Sequence, residues 1–151
     1  MASRFEFDPA NRTLLARFEG SLNDESAGEY YRAIREYSTA TDAHAGILDL
    51  SFVTEITVSS DFVRELADRE PAMPDAATRP RIVVVPATVG FGLARMFQIV
   101  GESKRPLLKV VRTMNEALAA LGIQSAHFKP VEQLFPKQTQ KELDSRAQGY
   151  C

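Results

Sequence analysis

The sequence predicts a single α/β domain in which helices pack on a mostly parallel sheet. Three observations predict it. Between residues 23 and 122, β-prone apolar runs alternate with segments whose apolar residues recur at intervals of three and four, and such alternation demands right-handed crossovers between parallel strands. The run Arg81-Ile82-Val83-Val84-Val85, stopped by Pro86, has the unbroken apolar character of a strand covered on both faces. A length of 151 residues suits one core and is short for two.

Each element has its own signal. Phe5-Glu6-Phe7 and Leu14-Leu15-Ala16-Arg17-Phe18 flank the turn formers Asp8-Pro9-Ala10-Asn11-Arg12 and predict an opening hairpin. Asn23 is placed to cap a helix with Asp24 and Glu25 in its first turn and Ala27, Tyr30, Tyr31, Ile34 and Tyr37 on one face. Gly46-Ile47-Leu48-Asp49-Leu50 predicts a strand, and Phe62, Val63, Leu66 and Ala67 predict a helix begun at Ser59 or Ser60. Pro71 to Ala77 is a loop by its Pro and Ala content. After the Arg81–Val85 strand, Thr88 is the expected cap of a helix through Val89, Leu93, Met96, Phe97 and Val100 that stops at Gly101. Leu107 to Val111 supplies a further strand. Thr113-Met114-Asn115-Glu116 has the capping-box pattern ahead of Ala117, Leu118 and Leu121, with Gly122 as the stop. Periodicity fades there, so residues 1–123 are expected to form the domain. Residues 124–151 are expected to be an extension, partly ordered or used in association, with a frayed helix through Leu143.

Composition excludes several classes. With 44% hydrophobic and 25% charged residues, the chain is neither disordered nor collagen-like nor a coiled coil throughout. Its apolar strings fall short of the roughly 18 to 20 residues of a membrane span. The start, Met1-Ala2-Ser3-Arg4-Phe5-Glu6, lacks the apolar core of a signal peptide, so the expected compartment is the cytoplasm. The single cysteine, Cys151, closes no internal disulfide. Residues 1–70 carry net −7 and residues 71–151 net +5, but the basic half has no dense Lys/Arg run and few interleaved aromatics. Nucleic-acid binding is therefore not expected, whereas attraction between the two halves, within one molecule or between subunits, is.

Catalytic patterns are sparse. The two histidines, His44 and His127, are not spaced for one metal ion, and no Gly-x-Ser-x-Gly elbow surrounds a serine. No metal, cofactor or catalytic residue is expected. Gly90-Phe91-Gly92-Leu93-Ala94-Arg95 follows a strand and opens a helix, yet Arg95 stands where a dinucleotide fingerprint needs a small residue. Arg95 is expected to pair with an acid such as Asp49. Asp49, expected at the end of its strand, and Glu55 in the following loop could form a carboxylate pair, or Asp49 could cap a loop backbone. Ser59 and Ser60 are candidate helix caps, and a helix N-terminus also stabilises an added phosphate.

The segment Ile47-Leu48-Asp49-Leu50-Ser51-Phe52-Val53-Thr54-Glu55-Ile56-Thr57-Val58-Ser59-Ser60-Asp61-Phe62 resembles the central stretch of STAS domains, the anti-sigma-factor antagonists and sulfate-transporter tails. Those read there approximately as Leu-Asp-Leu-Ser-x-Val-x-x-Ile-Asp-Ser-Ser-Gly-Leu. Leu48-Asp49-Leu50-Ser51, Val53 and Ile56 match, and Ser59 falls on the serine that the family phosphorylates. Thr57, Val58 and Ser60 replace its Asp, first Ser and Gly. With Gly92-Leu93-Ala94-Arg95-Met96 in the third helix, the chain is similar to divergent STAS-like proteins of the fold shared with CRAL/TRIO lipid-exchange domains.

The resemblance implies a non-enzymatic regulatory or protein-interaction module, with serine phosphorylation as its switch. Thr57, Ser59, Ser60, Asp49 and Phe62 are the candidate phosphorylation and interaction residues. A protein partner is implied, kinase-like or anti-sigma-like, and self-association as a homodimer is open. The alternative is a carrier or sensor of a small apolar or anionic ligand held near the strand ends, with Thr88, Phe91 and Arg95 as its candidate residues.

Overall fold

A computed structural model describes residues 3–135. Two strands open the chain, β1 (Ser3–Asp8) and β2 (Thr13–Leu22), followed by α1 (Asp24–Thr41), β3 (Ala45–Ile56), α2 (Ser60–Asp68), β4 (Arg81–Val84), α3 (Thr88–Val100), β5 (Leu108–Val111), α4 (Met114–Ala120), β6 (Lys129–Pro130) and α5 (Val131–Leu134). The sheet order is β5-β4-β3-β2-β1-β6. Strands β2, β3, β4 and β5 run parallel, while β1 is antiparallel to both β2 and β6. This is the single-domain α/β sheet that the alternation predicts. Cys151 and the helix expected through Leu143 lie outside the described residues.

Local chemistry sets the turns and helix starts. In the hairpin, Asp8 Oδ1 accepts from the amides of Ala10 and Asn11 at 3.1 and 3.3 Å, which bends the chain before Arg12, at φ 50°. Asn23 caps α1 in a reciprocal box with Ser26, each side chain taking the other's amide at 2.9 Å. Thr113 accepts from the Glu116 amide at 3.1 Å, half of the expected box; the Glu116 carboxylate instead meets the Thr113 hydroxyl. Gly122, at φ 70°, ends α4 with Gly122 N–H to Ala119 and Ile123 N–H to Leu118, the bond pair of a left-handed helix stop.

Alternation along the strands makes two cores. Phe5, Phe7, Leu14, Ala16 and Phe18 bury one face against Tyr30 and Ile34 of α1, and Val83, Val85 and Leu108 continue that face under Ala94 and Phe97 of α3. Each fully buried side chain of this size contributes roughly 1.5 to 3 kcal/mol. On the other face Leu15, Ile47, Ile82 and Val84 lie under Ala117, Leu118 and Leu121 of α4. The 71–77 loop has no helix or strand, as expected, yet Met73 within it is buried and sits where a Cβ on Gly46 would come within 2.8 Å of its Cε.

Three expectations are corrected. Strand β3 does not end at Leu50 but runs to Ile56, because β2 continues beside it to Leu22 through irregularities at Glu19 and Gly20 and supplies its backbone partners. Asp49 is therefore inside a strand. Thr88 does not cap α3: Ala87 is the cap residue, no side chain serves, and Thr88 is the first helical residue. Arg95 does not pair with Asp49; its Nη1 donates to Gln98 Oε1 at 2.6 Å on the same helix, whereas Asp49 faces Arg17, its register partner on β2.

Residues 124–135 carry β6 and α5. Pro130 and Lys129 stand opposite Glu6 and Phe7, and Val131 is fully buried with Phe7 in the first core. Residues 129–131 thus return to the edge of β1.

Candidate functional site

The strand C-terminal ends bring together the starts of α1 and α2. Ser59 caps α2, its Oγ accepting from the Phe62 amide at 3.1 Å. The same hydroxyl donates to Asp24 Oδ2 at 3.0 Å, and the Ser59 amide donates to Asp24 Oδ1 at 2.9 Å. Asp24 is the first residue of α1. One carboxylate thus joins the N-termini of two helices, a position in which negative charge is favoured by both macrodipoles.

Around this junction the surface is accessible. Thr57, Ser59 and Ser60 are exposed and Phe62 is half-buried. Thr57 N–H donates to Leu22 O at 2.8 Å and so fixes the chain at the end of the β2–β3 ribbon. A cleft between α1 and α2 is lined by Asp24, Gly28, Phe62 and Arg69, among others. The Arg69 guanidinium lies 5.8 Å from the Phe62 ring centre and 6.0 Å from that of Tyr31, and it also reaches Glu65 at 2.9 Å. The cleft carries both signs, with Asp24, Glu25, Glu29 and Glu70 beside Arg32, Arg35 and Arg69.

Asp49 is placed elsewhere. It alternates with Leu48 and Leu50, which face α1 and α3, so it belongs to the face of the sheet that α4 covers. Its Oδ2 accepts from Arg17 Nε at 3.0 Å, and its Oδ1 accepts from the Ser51 amide at 2.9 Å and from the Ser51 hydroxyl. Asp49 is 2% exposed and fully occupied by these partners. Glu55, exposed, meets Ser21 at 3.4 Å, so the two carboxylates do not form a pair. Arg17 also lies over the exposed Phe52 ring at 5.0 Å.

The Gly90–Arg95 segment shows packing. Phe91 lies 4.2 Å beneath the Arg112 guanidinium, which donates to Pro86 O at 3.1 Å. A Cβ on Gly90 would stand 2.5 Å from Ile56 Cδ1 and 2.7 Å from Val85 Cγ1, so this glycine admits the helix against the sheet. Thr88 is exposed at the helix start. Thr88, Phe91 and Arg95 do not line the α1–α2 cleft.

Sequence reasoning missed a further juxtaposition. Ser125 Oγ lies 3.1 Å from His127 Nε2, and Asp8 Oδ2 accepts from the His127 amide at 3.1 Å. The acid thus holds the backbone and not the ring, which is unlike a triad, where it orients the imidazole. No group of three His, Cys, Asp or Glu residues is placed to hold a metal ion among the described residues, and no described helix is long and apolar enough to cross a membrane.

No protein-family model and no curated protein matches the chain. Among solved structures it is similar to the Bacillus cell fate determinant SpoIIAA in its phosphorylated form, at 22% identity over 78% of this chain and 97% of that one, with a TM-score of 0.45.

Proposed function

We propose that the chain is a non-enzymatic, STAS-like regulatory module of the cytoplasm that binds a protein partner through the α1–α2 junction, with Ser59 as its switch. The observation that carries this reading is the exposed Ser59 hydroxyl bonded to Asp24 at 3.0 Å. A phosphate on Ser59 removes the proton that Asp24 accepts and sets about two negative charges against that carboxylate. The helix N-terminus favours the phosphate, while Asp24 and the nearby Asp61 oppose it. Modification therefore loosens the tie between α1 and α2. The mixed charge of the cleft suits a partner with a complementary pattern of charges, and a phosphate on Ser59 shifts that balance toward negative and so alters the affinity. The segment similar to STAS domains spans β3 and the start of α2, which puts its serine at the cap position.

The test is capture from host lysate by the wild-type chain, Ser59→Ala and Ser59→Asp, with intact-mass analysis of the natively expressed protein. A partner held by wild type and released by Ser59→Asp, together with a phosphate mapped to Ser59, is the expected result. Identical partners for all three proteins, with no phosphate, would sink the switch.

A further inference from the structure

Between the sheet and helices α1, α2 and α3 lies a cavity of about 140 Å³. Its walls are almost wholly apolar, Ile34, Leu50, Leu66 and Phe97 among them. Three polar side chains also line it: Tyr30, Tyr31 and Arg81. Two of these bring a polar atom that has no partner, the Tyr30 hydroxyl and Arg81 Nη1, both sealed from solvent. A guanidinium nitrogen without an acceptor in such surroundings carries a desolvation cost that native interiors normally avoid.

The electrostatics sharpen the anomaly. No carboxylate among the described residues forms an ion pair with Arg81. The charged group that acts on it is a second cation, Arg105, with the Tyr31 phenol as the opposing influence. Burial first, and Arg105 second, push the Arg81 guanidinium down to about 10. Arg105 is committed elsewhere: it is 2% exposed and donates to the carbonyls of Leu66, Ala67 and Arg69 at the end of α2 and to Tyr31 Oη at 3.4 Å. Arg105 Nε is also without a partner, but Arg105 does not line the cavity, whereas Arg81 does.

An apolar chamber with one unpaired cationic donor defines its complement. The ligand needs an apolar body and a single negative head with lone pairs for a guanidinium. We propose that this cavity binds a small apolar monocarboxylate, aromatic or short-chain acyl, with its carboxylate on Arg81 and its body against Ile34, Leu50, Leu66 and Phe97. A cavity of about 150 Å³ accommodates benzene, so the body spans roughly six to eight carbons. Tyr30 offers a second donor on the same wall. This site is independent of Ser59 and of the regulatory reading.

The experiment titrates the full chain calorimetrically with sodium benzoate and sodium octanoate, and with benzyl alcohol and 1-octanol as uncharged counterparts. Both carboxylates or one of them should bind at least tenfold more tightly than its alcohol, and Arg81→Met should erase that difference. Ala94→Leu, which fills the cavity from α3 and leaves Arg81 in place, should abolish binding of both kinds. Equal affinity for acid and alcohol, no binding of either acid, or unaltered carboxylate affinity in Arg81→Met or in Ala94→Leu would each overturn the proposal. The Ala94 variant keeps the test decisive where Arg81→Met fails to fold.

Discussion

Asp24 holds Ser59 by both its amide and its hydroxyl, at 2.9 and 3.0 Å, across 35 positions of sequence. The two residues start different helices, so their interaction is a tertiary one made entirely of capping groups. Removing either leaves the other with an unmatched partner. Asp24→Ala and Ser59→Ala are each expected to lower stability by about 1 kcal/mol, Ser59→Ala through its lost cap as well. Their combined effect should fall short of the sum by about 0.5 kcal/mol or more. Urea denaturation of both single variants and the double variant measures this coupling, and strict additivity would contradict the tie.

The two glycines at the start of α3 should answer oppositely to alanine. Gly92 has no atom within 4 Å of a built Cβ, whereas Gly90 would meet Ile56 and Val85 at 2.5 and 2.7 Å. Gly92→Ala is expected to raise stability by about 0.5 to 1 kcal/mol through helix propensity. Gly90→Ala is expected to lower it, overpacking typically costing about 1 to 3 kcal/mol against that same gain. Thermal denaturation reads both signs.

Asp8 gives the molecule an acid-sensitive anchor. Burial pushes its carboxyl up, but hydrogen bonds from the Asn11 side chain and from the amides of His127, Asn11 and Ala10 prevail, and it sits below the ordinary 3.8. A carboxylate whose pKa falls on folding adds stability above its unfolded value and loses it as pH drops through the folded one. Wild-type stability should therefore decline as pH falls below about 4. Asp8→Asn should be weaker at neutral pH and decline less steeply toward acid. Denaturant midpoints from pH 7 to pH 3 decide the matter; parallel profiles would remove Asp8 from the account.

Arg105 is the C-terminal cap of α2 in all but backbone. Its guanidinium takes the Ala67, Arg69 and Leu66 carbonyls at 2.7, 2.9 and 3.2 Å and lies 4.7 Å from the Phe97 ring centre. Arg105→Met keeps the stem but strands the Ala67 and Arg69 carbonyls, Leu66 keeping the Arg69 amide, and a loss of roughly 2 to 4 kcal/mol follows. Amide hydrogen exchange should accelerate first along residues 60–68. Uniform acceleration across the sheet would point to general destabilisation instead.

What the sequence reveals here is what short-range chemistry controls. The starts of α1, α2 and α4 are legible because Asn23, Ser59 and Thr113 act on amides three residues away. The parallel order is legible because β4 is apolar on both faces. The extension of β3 is not, since its partners come from β2 past the positive φ of Gly20. Nor is the pairing of Asp49 with Arg17, which register alone creates. Within the candidate site, the capping role of Ser59 is visible locally, while the second partner, Asp24, requires α1 to lie beside α2. Arg81 reads as an ordinary strand residue until three helices close over it.

The return of β6 and Val131 to β1 sets an order of events in synthesis. Glu6 and Phe7 find their outer neighbours at Pro130 and Lys129, so β1 is made well before the segment that covers its outer edge. Until then β1 presents a bare edge with Phe5 and Phe7 on it, the kind of surface that pairs with another nascent chain. The charges at Arg4 and Glu6, alternating with those phenylalanines, guard that edge while the rest of the molecule is made.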